Sequence, residues 1–201
     1  AGVAAQEPET ESPSVFTVRT SVKATALLSR APDAPDLFSE QTTVQSMVRF
    51  RVEPEIRASE NTTINIAYEQ RLHYACGASG FAAIGIPPSE ASTPFRVQPL
   101  VWRVTDSGNG IWRHEIDRAN AQVHARRADL TIGRQAIGWG RGVMFTAVDL
   151  FAPFSPLEVD REWRSGVDAI RADVKLTERS SLDLVGAFGD TLDRSAFAAT
   201  A

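Results

Sequence analysis

Basic side chains recur at alternate positions along several stretches of the sequence, and this alternation places them on one face of extended strands. That face has nine basic residues against five acidic ones, although the whole chain carries a net charge of −4. A ring of basic side chains around a hydrated pore favours anions. Alternatively, these charges brace neighbouring strands against each other, and the two roles are compatible. The predicted pore-lining set is the nine basic residues and one amide: Arg19, Lys23, Arg49, Arg51, Arg57, Arg71, Arg118, Gln122, Arg171 and Lys175.

The sequence offers little support for catalysis. His114 and His124 fall at opposite ends of one predicted strand and His73 lies on another, so they predict neither a metal site nor a catalytic triad. Glu53 and Glu55 share a face, but arginines flank them, which favours ion pairs over an acid–base pair with separated pKa values. We therefore predict that the chain is not an enzyme and that it holds no cofactor and no metal.

The elements that must position these side chains are β-strands, because apolar and polar residues alternate along most of the chain. Val48 and Phe50 face one way while Arg49 and Arg51 face the other. Pro54 removes a backbone donor from the same strand, so we expect a bulge or an early end of pairing there. Seven strands are predicted, over residues 15–28, 43–59, 62–74, 112–126, the beginning of 130–149, 166–176 and 182–188, with a short additional strand within 97–104.

The segment 130–149 begins as a strand and then carries glycines at every second position. Glycine removes side chains from one face and permits positive φ, so the chain can leave the sheet here. No helix follows the glycines, so neither a dinucleotide-binding nor a phosphate-binding loop fits. We predict that the loop up to residue 165 folds back and narrows a bore, with a lid over the outer rim as the alternative. The predicted constriction residues are Gly138, Gly140, Gly142, Asp149, Glu158, Asp160 and Arg161.

The same region carries a specific series of residues. Residues 133–140 read Gly-Arg-Gln-Ala-Ile-Gly-Trp-Gly, residues 149–156 read Asp-Leu-Phe-Ala-Pro-Phe-Ser-Pro, and residues 166–169 read Gly-Val-Asp-Ala. This series resembles a segment of Gram-negative outer-membrane β-barrels of the porin-like and alginate-export-like kind. The resemblance implies an all-β, antiparallel, up-and-down transmembrane β-barrel in the bacterial outer membrane. It also implies contact with outer-membrane lipid but says little about the solute. The basic side chains are the reason to expect small polar or anionic solutes as partners. We expect no nucleic-acid partner, and a homo-oligomer remains open.

The lengths of the connections agree with this resemblance. Long and short connections take turns along the chain, long at 29–42, 75–111 and 138–165, and short at 59–61, 127–128 and 178–180. Outer-membrane barrels have short periplasmic turns and longer external loops. The alternation of apolar and polar residues along the strands would, by itself, fit a soluble, half-exposed sheet equally well. No stretch approaches the roughly 18 consecutive apolar residues that a membrane-spanning helix needs.

The predicted organisation has three parts. We expect residues 1–14 to be a disordered lead-in whose start is compatible with the end of a secretory signal. Residues 15–190 form the β-barrel segment, and residues 191–201 are an unpaired tail or the start of a further external loop. Seven strands do not close a bacterial barrel, so we expect part of a larger one. The predicted function is a porin-like channel for small or anionic solutes; the alternative is a plugged structural or assembly barrel without transport.

Overall fold

Almost every regular element of this chain is a β-strand. The computed structural model describes residues 15–30, 42–76, 93–138 and 164–201. Within these ranges, no helix has the length and hydropathy to cross a bilayer. The described residues also contain a short 3-10 helix, Leu192–Arg194. The nine strands are β1 (Phe16–Arg30), β2 (Thr42–Ser59), β3 (Thr62–Cys76), β4 (Val101–Asp106), β5 (Gly110–Ala125), β6 (Ala128–Gln135), β7 (Val167–Lys175), β8 (Ser181–Ala187) and β9 (Ala196–Thr200).

The strands form a single antiparallel sheet in the order β1-β2-β3-β5-β6-β7-β8-β9, with β4 paired to β5. Apart from β4, each strand therefore pairs with the strand next to it along the chain, and the prediction of an all-β antiparallel meander is confirmed. Among the described residues, β1 and β9 are the two edges and do not pair with each other, so this part of the sheet is open.

One predicted short strand is present, and one further strand extends the predicted set. The short strand expected within 97–104 is β4, which pairs with the first half of β5. Residues 196–200 form β9 and pair with β8, from Ala187↔Ala196 to Asp183↔Thr200. The prediction of an unpaired tail over 191–201 is therefore wrong for its second half. The 3-10 turn reverses the chain so that a small-residue strand returns beside β8.

One face of the sheet, which we call the apolar face, carries mostly hydrophobic side chains. One row on this face crosses eight strands with no polar member. Its side chains stay uncovered, since Ile132 is 47% and Phe197 74% exposed. A contiguous apolar surface of this kind marks a contact with lipid or with another protein. The row consists of Phe16, Ile56, Ile64, Ala121, Ile132, Ile170, Gly186 and Phe197.

Pro54 interrupts pairing on one side of β2 only. The β2–β3 register runs as far as Val52↔Tyr68 and resumes at Glu55↔Asn65 without a shift. On the other side, β1 pairs through Val18↔Pro54. The predicted bulge or early end of pairing is therefore wrong. Pro54, which has no N–H to donate, coincides only with a short gap in the pairing toward β3.

The opposite face, which we call the charged face, becomes apolar toward β7, β8 and β9. A small buried cluster lies there, and Phe95 packs against it. Phe95 belongs to residues 93–100, the return segment, which crosses from β8 to β5. The Asp168 N–H donates to the Phe95 carbonyl (2.9 Å), and the Ile116 N–H donates to the Leu100 carbonyl (3.0 Å). The cluster consists of Ile137, Val167, Ala169, Val185 and Ala187.

Candidate functional site: a row of cationic side chains

The register of the sheet brings cationic residues into one line across the charged face. Lys23 lies opposite Arg49, Arg49 opposite Arg71, Arg71 opposite Arg113, and Arg113 opposite Arg103. We call these five residues the basic row. They come from five neighbouring strands, and with a strand spacing of about 4.8 Å the row is roughly 20 Å wide.

A second row, two residues further along each strand, contains both signs of charge. We call Ser21, Arg51, Glu69, Glu115 and Val101 the mixed row. The two rows together hold six cationic side chains and two carboxylates, an excess of four positive charges. The local balance is therefore strongly positive in a chain that is acidic overall.

Glu69 is the main counter-charge of the two rows. Its carboxylate accepts Arg51 Nη1 at 3.1 Å and lies 3.5 Å from Arg49 Nε, and it also bonds Arg71 Nε. All four side chains are at most 5% exposed. Buried charges need such pairing, because an ion removed from water without a partner is strongly destabilising.

A bulge in β5 adds a buried carboxylate next to these rows. The register between β3 and β5 shifts between Ala67 and Tyr68, which leaves Asp117 as the extra residue of β5. Asp117 accepts hydrogen bonds from Arg51 Nη1 (3.1 Å) and from the backbone N–H of Gly166 (3.0 Å). A Cβ on Gly166 would collide with the Asp117 carbonyl oxygen, so the close approach requires glycine.

Two arginines attach the return segment to the wall of the sheet. Arg96 Nη1 donates to Glu115 Oε1 at 2.7 Å, and its Nε donates to the Gly166 carbonyl at 3.0 Å. Arg134 binds Asp168 through two nitrogens, at 2.7 and 2.9 Å, and its Nη2 also donates to the Gln98 carbonyl at 2.6 Å. The return segment is thus part of the charged site.

The remaining predicted pore-lining residues lie further toward the short turns. Four of them, together with other polar side chains, line one cavity of about 240 Å³: Arg19, Arg118, Gln122 and Arg171. Arg171 is engaged in a two-nitrogen contact with Asp183 (2.6 and 3.0 Å), and Arg19 lies 3.9 Å from Glu53. Arg57 and Lys175 are exposed near the short turns, away from the basic row.

Of the predicted constriction residues, Gly138 alone is among the described residues. Gly138 lies beside the guanidinium of Arg164, where a Cβ would come within 2.5 Å of Nη1. The other six residues, Gly140, Gly142, Asp149, Glu158, Asp160 and Arg161, lie outside the described residues, so their role stays a prediction.

Sequence reasoning missed the acidic partners in β5 and the arginines around them. The bulge at Asp117 exchanges the two faces of β5. Simple alternation from Ala119 toward the start of the strand therefore assigns the wrong face to Arg113, Glu115 and Asp117. Arg96 lies in a segment without periodicity. Within the described ranges, no group of three or more His, Cys, Asp or Glu side chains has the arrangement of a metal site.

No protein-family model, curated protein or solved structure matches the chain. The geometry of its own residues is therefore the basis on which a function can be proposed.

Proposed function

We propose that the chain forms the wall of an outer-membrane, porin-like channel through which small anionic solutes pass passively. The basic row carries this proposal. Five cationic side chains on five adjacent strands form a band that attracts anions and repels cations. The apolar face on the other side of the same strands is suited to contact with lipid.

Bracing between strands accounts for only part of the basic row. The carboxylate of Glu69 contacts Arg49 and Arg71, and that of Glu115 lies 3.5 Å from Arg113. Like charges directly opposite on neighbouring strands are nevertheless destabilising. The basic row has like charges at four successive cross-strand positions, so we infer that its charge also serves to attract anions.

The apolar face supports a membrane location for this wall. The row that contains Ile132 continues across eight strands without a charge. A basic residue facing lipid at the bilayer midplane costs about 2–4 kcal/mol, so a lipid-facing row is expected to lack one. Exposure of such an apolar row to water is unfavourable, whereas the hydrocarbon chains of lipid would cover it.

The proposal is tested by the reversal potential of the intact protein in a planar bilayer under a KCl gradient. We expect chloride to permeate better than potassium. Lys23→Gln should lower this preference, because Lys23 is the edge member of the basic row and is only half-buried. Arg179→Gln, in the turn after β7, is the matched control and should leave the preference unchanged.

The same experiment addresses the structural alternative, a barrel that is plugged and transports nothing. The return segment favours this alternative, since Arg96 and Arg134 fasten it across the charged face. If the folded protein inserts into the bilayer and shows no conductance, the plugged barrel is the correct alternative and the channel is not. A cation preference would contradict the role given to the basic row.

A further inference from the structure

We propose that a pocket at one end of the basic row binds an organic dianion, such as a dicarboxylate with a short hydrocarbon body. This inference deepens the proposed channel function, on which it rests, by naming a class of solute. The pocket lies between the return segment, the paired strands β4 and β5, and the turn between β8 and β9, and its volume is about 530 Å³. Binding pockets for small organic molecules occupy a similar range of volumes.

The charges that line the pocket favour an anionic ligand with two charged groups. Four guanidinium groups line it, those of Arg96, Arg103, Arg113 and Arg194, against the two carboxylates of Glu115 and Asp190. Two of the four, Arg103 and Arg194, pair with exposed aspartates, and the two negative groups of a dianion can compete with those aspartates. Guanidinium groups suit this task, because their planar forks bind carboxylates through two parallel hydrogen bonds.

Two of these arginines are exposed enough to contact a ligand. Arg103 pairs with Asp106 at 2.9 Å and Arg194 pairs with Asp190 at 3.1 Å, and in both pairs the side chains are about half exposed. Exposed ion pairs of this kind contribute little stability. Arg96 and Arg113, in contrast, are held close to Glu115 and give the pocket a fixed positive floor.

The uncharged part of the lining favours an organic ligand over an inorganic one. Pro94, Pro99 and Val101 contribute apolar surface beside the guanidinium groups. An inorganic oxyanion would leave this surface in contact with water, whereas a carbon skeleton would cover it. The two proline rings also limit how far the return segment can adapt, which fixes the shape of the apolar wall.

Isothermal titration calorimetry on the intact protein in detergent, at low salt, tests the pocket with four probes. We expect terephthalate and succinate to bind, acetate to bind at least about tenfold more weakly for want of the second charged contact, and sulfate to bind more weakly than terephthalate. Arg194→Gln should raise the Kd of terephthalate about tenfold, and the double variant with Arg103→Gln should raise it further. Arg179→Gln, an exposed arginine remote from the pocket, should leave it unchanged.

Each contrary outcome overturns a stated part of the proposal. If acetate binds as tightly as terephthalate, the ligand need not be a dianion. If sulfate binds as tightly, the ligand need not be organic. An unchanged Kd in Arg194→Gln, with the protein folded, would remove the pocket. The readout is independent of conduction, so a protein that binds terephthalate without conducting keeps the pocket and loses the channel. A chloride-selective channel that binds none of the four probes keeps the channel function and loses the pocket.

Discussion

At the scale of single residues, the site depends on buried charges that have several partners each. Arg51 is 2% exposed and donates to Glu53, Glu69 and Asp117. Asp117 is 1% exposed and also accepts the Gly166 N–H, so it links β2, β5 and the approach to β7. Networks of this kind stabilise only when complete, because the loss of one member leaves the others buried and unpaired.

Asp117→Asn tests this network by removing the charge while keeping the shape. We expect the free energy of unfolding to fall by about 3 kcal/mol, because the buried guanidinium of Arg51 loses one of its counter-charges. Denaturant titration in a single detergent measures the change. Asp129→Asn is the matched control: Asp129 pairs with His124 at 2.9 Å, both are about half exposed, and its loss should cost less than about 1 kcal/mol. Equal effects of the two substitutions would show that the network does not stabilise the sheet.

At the scale of elements, the strands could be predicted and their exact partners could not. Alternation gave the seven longer strands, because each has an apolar and a polar side. It failed at Asp117 because one extra residue exchanges the two faces of β5. It also failed at Arg134, which alternation from Ile132 places on the apolar face. The preceding Gly133 has a φ of +112°, and Arg134 is 3% exposed beside Asp168.

The basic row itself was only half accessible from the sequence. The sequence predicts that Lys23, Arg49 and Arg71 share a face, but not that they share a row, because cross-strand register depends on turn lengths and bulges. Arg113 joins the row through the part of β5 before the bulge, where alternation fails. Arg103 joins it through β4, which starts from a segment with weak periodicity. No local signal in the sequence indicates that residues 93–100 fold back across the sheet.

The attachment of the return segment gives a prediction at this scale. Arg134→Lys cannot reproduce the forked contact with Asp168 together with the bond to the Gln98 carbonyl. All donors of an ammonium group are on one nitrogen, whereas the guanidinium group spreads its donors over three nitrogens in a plane. We expect amide hydrogen exchange to accelerate in residues 95–100 and at Ile116, whose N–H donates to Leu100.

The matched control for this exchange experiment is Arg171→Lys. Arg171 makes the same forked contact, with Asp183, but has no hydrogen bond to the return segment. Its substitution should leave exchange in residues 95–100 unchanged. If both variants accelerate exchange there equally, Arg134 has no particular role in fastening the segment.

At the scale of the whole molecule, the two faces of the sheet differ in charge. The charged face carries an excess of cationic side chains over β1 to β5, and the apolar face carries one uncharged row that crosses eight strands. Among the described residues, no second layer lies over the apolar face. The proposed membrane wall requires this division, with lipid on one side and a hydrated interior on the other.

The most direct test of this division compares two consecutive residues of β6, Thr131 and Ile132. Single spin labels are placed at each, with Cys76 replaced by serine, and the intact protein is inserted into lipid vesicles. Ile132 lies in the apolar row and should be accessible to oxygen dissolved in the bilayer, while Thr131 lines the polar cavity and should be accessible to a water-soluble relaxation agent. Equal access of the water-soluble agent to both positions would contradict a membrane wall.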